Sequence, residues 1–130
     1  MHWWKKIIES IKAGDVLDTP GKGMNGGNSG KFKINSIDSS KIVISSGNTS
    51  VHLEKECFDV LEVAFAKNPN LWLRCASSHS NEAFANSADM LIRERTGSQL
   101  ARGNYVCSML EKAGLVKYSM RDNKKWIKLS

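Results

Sequence analysis

Apolar residues near the start of this chain recur at helical spacing. Trp4, Ile7, Ile8 and Ile11 stand at i, i+3, i+4 and i+7, which lines one face of a helix and leaves Lys5, Lys6, Glu9 and Lys12 to the other. Gly14 supplies a stop. The period then shortens to two. Val16-Leu17 forms a short apolar run, Phe32 and Ile34 alternate with Lys31, Lys33 and Asn35, Ile42 and Ile44 flank Val43, and Val51 and Leu53 flank His52. Between these runs lie turn-forming stretches, Asp38-Ser39-Ser40 and Ser46-Gly47-Asn48-Thr49, so the pattern predicts short antiparallel strands joined by tight turns. Helical spacing returns with Phe58, Leu61 and Phe65 and ends at Asn68-Pro69-Asn70, because the residue before a proline is pushed out of the helical region. Leu71-Trp72-Leu73 is a brief extended segment, and Ser77 to Asn81 is polar loop.

The last third resumes with a helix from Ala88 to about Thr96, capped by Asn86 or Ser87, with Asp89 favourable in its first turn. Gly97 closes it, since a residue without a β-carbon takes the left-handed conformation at little cost. Ser98 can cap a following helix at once, and the two helices are then joined as in a helix-turn-helix. That second helix is predicted over Gln99 to Ala113, with Val106, Met109, Leu110 and Ala113 inward and Gln99, Arg102, Asn104 and Ser108 outward. Gly103 weakens it locally, by about 1 kcal/mol relative to alanine. A glycine there points to close backbone approach or to a helix that begins later. After Gly114, Val116 and Tyr118 alternate with Lys117 and Ser119, and Ile127 and Leu129 alternate with Trp126 and Lys128. The basic turn Arg121-Asp122-Asn123-Lys124-Lys125 joins them into a hairpin.

Charge sharpens this picture. Residues 86–130 carry nine Lys/Arg and four Asp/Glu, so five of the chain's six net positive charges lie there. A cationic tail built on a helix pair and hairpin points to a polyanionic partner. Side chains such as Gln99, Arg102 and Asn104 on a groove-facing helix suit phosphates and base edges.

The run from Leu110 to Leu129 (Leu-Glu-Lys-Ala-Gly-Leu-Val, a basic Asp-Asn tip, then Trp-Ile-Lys-Leu) resembles the end of a winged-helix domain of bacterial regulators. The resemblance implies that the helix before Gly-Leu-Val is a recognition helix and the hairpin a wing. Gln99, Arg102 and Asn104 would then face DNA bases or phosphates, and Arg121, Lys124 and Lys125 would lie on the wing against phosphates or in a minor groove. The expected fold class is α+β. An N-terminal helix, a small antiparallel sheet similar to an SH3-like barrel and the helix after it occupy residues 1–67, and a winged-helix-like module occupies 68–130.

Other chemistries find little support. At 130 residues with 41% hydrophobic content the chain is long enough for a real core. Its three widely spaced cysteines, Cys57, Cys75 and Cys107, suit core thiols in a reducing compartment better than a disulfide framework. No apolar run approaches the roughly 18 residues of a membrane span. The N-terminus places aromatics before its lysines, unlike a secretory signal, so a cytoplasmic location is expected.

The Gly-rich loop from Pro20 to Gly30 precedes Lys31, yet Asn25 stands where a phosphate loop needs glycine and Phe32 where it needs Ser or Thr. A mobile hairpin loop is the better expectation there. Cys75 and His79 form one loose pair, with Cys57, Cys107, His2 and His52 far away in sequence, so no metal site and no cofactor is expected. No serine sits in a nucleophile elbow, and no cysteine has a recognisable catalytic context. Glu54, Glu56, Asp59 and Glu62 suit a solvated helix face. The expectation is a small non-enzymatic DNA-binding protein. The alternative is an interaction module for another protein or a second copy of the chain, anchored by Trp3, Trp72 or Trp126.

Overall fold

A computed structural model describes residues 2–20 and 30–130; the Gly-rich segment 21–29, with its hairpin-loop and phosphate-loop expectations, lies outside them. The chain is α+β. An N-terminal helix α1 (Trp3–Ser10) precedes four strands, β1 (Val16–Asp18), β2 (Lys31–Ile37), β3 (Lys41–Ser46) and β4 (Thr49–Glu54). Helix α2 (Lys55–Lys67), strand β5 (Leu73–Arg74), helices α3 (Ala88–Thr96) and α4 (Gly103–Lys112), and strands β6 (Val116–Arg121) and β7 (Lys124–Leu129) complete it.

The first sheet is an antiparallel meander in the order β1-β2-β3-β4. Its alternation buries Phe32, Ile34, Ile42, Ile44 and Leu53 on one face, as a period of two requires. A bulge between Ile34 and Ser36 shifts the register of β2 against β3, which locally adds twist. Among the described residues no pairing joins β1 to β4, so the sheet is open there. The second sheet has the order β5-β7-β6, and its hairpin is closed by Asp122 and Asn123, both at positive φ (55° and 60°). Asn and Asp tolerate that conformation, and two such residues make the turn whose twist matches a hairpin.

One apolar cluster runs through the whole chain, from Trp4, Ile7 and Ile11 through the first sheet and Phe58, Leu61 and Phe65 to Ile92, Val106, Met109, Leu110 and Ile127. Helix α2 lies at its centre, packed on α1 and, more extensively, on α3. Of the residues expected to form a solvated acidic face, Glu56 is exposed and the other three have specific partners. Glu62 accepts from the backbone N–H groups of His2 (2.9 Å) and Trp3 (3.4 Å), at the otherwise unpaired start of α1. Asp59 pairs with Lys55 one turn away. Glu54 sits before α2 and binds Arg102.

Helix α3 follows the sequence closely. The Ser87 hydroxyl accepts from Met90 N–H at 2.9 Å, and Gly97 closes the helix at φ 71°. The next helix departs from expectation. It begins at Gly103 rather than Gln99, and residues 97–102 form a connection longer than a tight turn. The cap for α4 comes from another element: buried Asp89 accepts from the N–H groups of both Arg102 and Gly103 at 3.0 Å. A β-carbon on Gly103 would lie 2.6 Å from Asp89 backbone and side-chain atoms. The glycine is therefore where α4 starts and also where its backbone presses on α3.

Candidate nucleic-acid interface

The residues expected to face a groove do not form one surface. Arg102 is 2% exposed. Its guanidinium donates to the His52 carbonyl (2.9 Å), the Thr96 hydroxyl (3.1 Å) and the Glu54 carboxylate. It thereby ties α4 to β4, and its Nε, which has no partner among the described residues, is buried away from any phosphate. Asn104 is half-buried, and its side-chain carbonyl accepts from the Ser77 hydroxyl at 3.1 Å. Gln99 is exposed, but it stands in the connection before the helix.

The outward face of α4 is covered by the first sheet. Ser108 donates to the Asp18 carbonyl of β1 at 2.6 Å, and Tyr105 meets Phe32 of β2 edge-on with ring centroids 5.2 Å apart. The expectation that Arg102 and its neighbours project from a free helix is corrected on this ground. Arg102 and Ser108, which looked polar-outward, donate to backbone carbonyls of β4 and β1.

Arg93 is likewise turned inward. Its Nη2 lies 2.9 Å from Asp89, and its guanidinium donates to the Ser78 and Ser80 carbonyls. Of the nine cations in the last third, Arg93 and Arg102 therefore belong to the interior.

Five of the remaining seven lie on the hairpin, which divides them by strand alternation. Antiparallel partners share a face, and Lys117 pairs with Lys128, Ser119 with Trp126, Arg121 with Lys124. These six residues thus stand on one side of the sheet. The opposite side carries Val116, Tyr118, Ile127 and Leu129 towards the core. Arg74 of β5, opposite Trp126 in register, joins the outer side, where its guanidinium lies 4.0 Å from the Phe84 ring centroid. Lys125, which the resemblance placed on the wing with Arg121 and Lys124, is on the inner side, with its ammonium 4.9 Å from the Tyr118 ring.

Trp72, just before β5, organises the outer side. The Arg121 guanidinium is 3.9 Å and the Lys128 ammonium 4.8 Å from its ring centroid. The negative face of an indole attracts such cations and holds their long side chains in place. Trp126 donates from its indole N–H to the Arg121 carbonyl at 3.0 Å, which fixes the ring against the strand. Pro69, Asn70, Trp72, Lys117 and Lys128 line a shallow hollow of about 300 Å³ on this side. Among the described residues, Lys117, Arg121, Lys124 and Lys128 form no salt bridge. Four cations on one sheet face, with Asp122 at the turn as the hairpin's one acidic side chain, create a positive potential that a polyanion would neutralise.

Lys117 and Lys128 were not among the residues the sequence singled out for binding, and Trp72 and Trp126 were named only as anchors for a protein partner. The signal was present, because Lys117-x-Ser119-x-Arg121 and Lys124-x-Trp126-x-Lys128 both alternate with period two. Which residues lie across from one another follows from the register alone.

Cys75 and Cys107 meet in the interior; burial and their mutual thiol hydrogen bond push the Cys107 thiol well above its usual range, the hydrogen bond being the larger cause. Burial pushes the Cys57 thiol up to about 11. His79, by contrast, is exposed in the 77–81 loop. No family model matches the chain, and no curated protein or solved structure matches it.

Proposed function

We propose that this chain is a small non-enzymatic DNA-binding protein whose C-terminal half is of the winged-helix kind. Its contact surface in this proposal is the outer face of the β5-β7-β6 sheet, with α4 in a structural role. The observation that carries the reading is the placement of Lys117, Arg121, Lys124 and Lys128 on one side of the sheet, two of them on the Trp72 ring, with no salt bridge among the described residues. The order helix, helix, hairpin in α3, α4, β6 and β7 supports the winged-helix assignment. The N-terminal sheet, taken as SH3-like, braces α4 from the side that a recognition helix would present to a groove.

Both faces of the reading have physical consequences. Lysine and arginine contacts to phosphates supply affinity without sequence information. Arg121 and Lys128 lie against Trp72, so the indole serves to position cations more than to stack on bases. Weak sequence preference and strong salt dependence follow.

Fluorescence anisotropy with a labelled random duplex tests this. Micromolar binding is expected at about 50 mM salt, with a slope of log K against log salt of about −3 to −4 if all four cations meet phosphates. Replacing Lys117, Arg121, Lys124 and Lys128 together by alanine should abolish it. Absence of binding by the intact chain, or unchanged binding by the fourfold variant, overturns the proposal. Proteins captured from extract that persist after nuclease treatment would favour an acidic protein partner on the same face.

A further inference from the structure

A second concavity lies away from the cationic sheet face, between the β3–β4 hairpin and the connection that leads into α4. Its volume is about 490 Å³, and its lining includes Val51, His52, Glu54, His79, Leu100 and Tyr105. From this geometry we infer a binding site for a small, neutral, flat nitrogen heterocycle with N–H donors, of the size and chemistry of a purine base or its nucleoside.

Three observations carry the inference. The first is the carboxylate of Glu54. Its Oε2 is bound by Arg102 and approached by the Cys57 thiol at 3.9 Å, while its Oε1 has no partner among the described residues. Arg102 is itself held by the His52 carbonyl and the Thr96 hydroxyl, so it acts as an anchor that locks Glu54 in one orientation. The side chain of Glu54 is 41% exposed and that of Arg102 2%, and Glu54 lines the cavity, so its unpaired oxygen is the acceptor assigned to the ligand. A pre-oriented acceptor of this kind suits an N–H donor, because the cost of ordering it is already met by the fold.

The second observation is the charge of the site. Arg102 cancels Glu54 at contact distance, so an ammonium group entering the cavity gains little attraction and a phosphate meets a carboxylate. A neutral donor is favoured over either ion.

The third is apolar surface without a covering. Leu100 is 60% exposed, the largest exposure among the large apolar residues described, and it lines the cavity with Val51 and Tyr105. Apolar walls with a few convergent polar groups are the usual composition of a small-molecule site. A flat ring covering Leu100 and donating to Glu54 answers both features. Thr49, Ser50, His52 and His79 also line the cavity, and hydroxyl and imidazole groups suit a sugar's hydroxyl groups.

This site is independent of the proposed DNA contact, and its test does not require DNA. Isothermal titration calorimetry of the full chain with guanosine and adenosine should show saturable binding at micromolar to sub-millimolar affinity. N6,N6-dimethyladenosine, which lacks the exocyclic N–H donors, should bind at least about tenfold more weakly than adenosine, a loss of one hydrogen bond to a charged group. Ser50→Trp, placed to fill the cavity from an exposed strand position, should abolish binding while leaving the circular dichroism spectrum and the salt-dependent DNA affinity unchanged. Glu54→Gln should weaken binding too, with folding checked because it disturbs Arg102. No heat with any nucleoside up to millimolar concentration overturns the inference. So does binding that Ser50→Trp leaves intact, or equal affinity for adenosine and its dimethyl analogue.

Discussion

Arg102, Asp89 and Gly103 form one local device, and each is intelligible only beside the others. Asp89 is fully buried, a position a carboxylate tolerates only when charge and hydrogen bonds compensate it. Here it receives two backbone N–H groups from the start of α4 and the Arg93 guanidinium from its own helix. Gly103 allows that approach, since a β-carbon would come within 2.6 Å of Asp89 backbone atoms. Gly103→Ala should therefore destabilise the fold by about 1–3 kcal/mol, as overpacking does, although alanine is the better helix former. Urea denaturation monitored by circular dichroism would read the shift in midpoint. Arg102→Ala should cost about 3 kcal/mol, near the low end for breaking a buried ion pair, because Glu54 remains partly hydrated. Below its unfolding transition that variant should bind duplex DNA with unchanged affinity. A drop in affinity without loss of stability would restore Arg102 to a contact role.

At the scale of elements, the helix expected to face a groove is the covered one, and the hairpin is the exposed one. The helix is covered by β1 and β2 through Ser108 and Tyr105, whereas the hairpin presents one basic and one apolar face. Single substitutions should show this division. Lys117→Ala and Lys128→Ala should each lower the salt slope of DNA binding by about 1. Lys125→Ala, on the face with Tyr118, should leave it unchanged, so equal effects of Lys125 and Lys128 would sink the assignment of faces. The hairpin's existence, its Asp122-Asn123 turn and its alternation were legible in the sequence, as were the Ser87 cap and Gly97 stop of α3. The start of α4 was only half legible: Gly103 allowed a later start, but the cap is supplied by Asp89 from another helix and leaves no local mark at Gln99 or Ser98. Arg102 misled for a related reason. On a helical wheel, a polar residue opposite the apolar stripe has the same signature whether it meets water or a second sheet.

For the molecule as a whole, a continuous core has two measurable consequences. Arg102 joins Glu54 across the expected boundary near residue 68, Tyr105 joins Phe32, and α2 packs on both α1 and α3. A fragment of residues 68–130 should therefore lack a cooperative thermal transition, where the full chain has one. The buried thiols also make stability depend on pH. The unfolded chain loses the Cys57 proton near the ordinary thiol value of about 8.5, and the folded chain only near 11. Between those limits the unfolded chain binds fewer protons, so stability is full below the lower value and falls as pH rises. The loss attributable to Cys57 should reach about 2–3 kcal/mol towards pH 11. Denaturation curves at about pH 8 and about pH 10.5 would measure it, with Cys57→Ala flattening the difference. Cys107 and Tyr118, both raised by burial among other causes, act in the same direction.

Local pattern alone determined the type of nearly every element, most turns and caps, and the concentration of positive charge in the last third, because helical and strand periods and the conformational limits of Gly, Asn, Asp and Pro are properties of neighbouring residues. Tertiary structure decided where α4 begins, which of its sides is free, which cations turn inward and that Trp72 gathers Arg121 and Lys128. Each of those depends on a partner distant in sequence, such as Glu54 for Arg102, Asp89 for Gly103 or Asp18 for Ser108, and no spacing along the chain encodes a contact made only when two sheets close on the same helix.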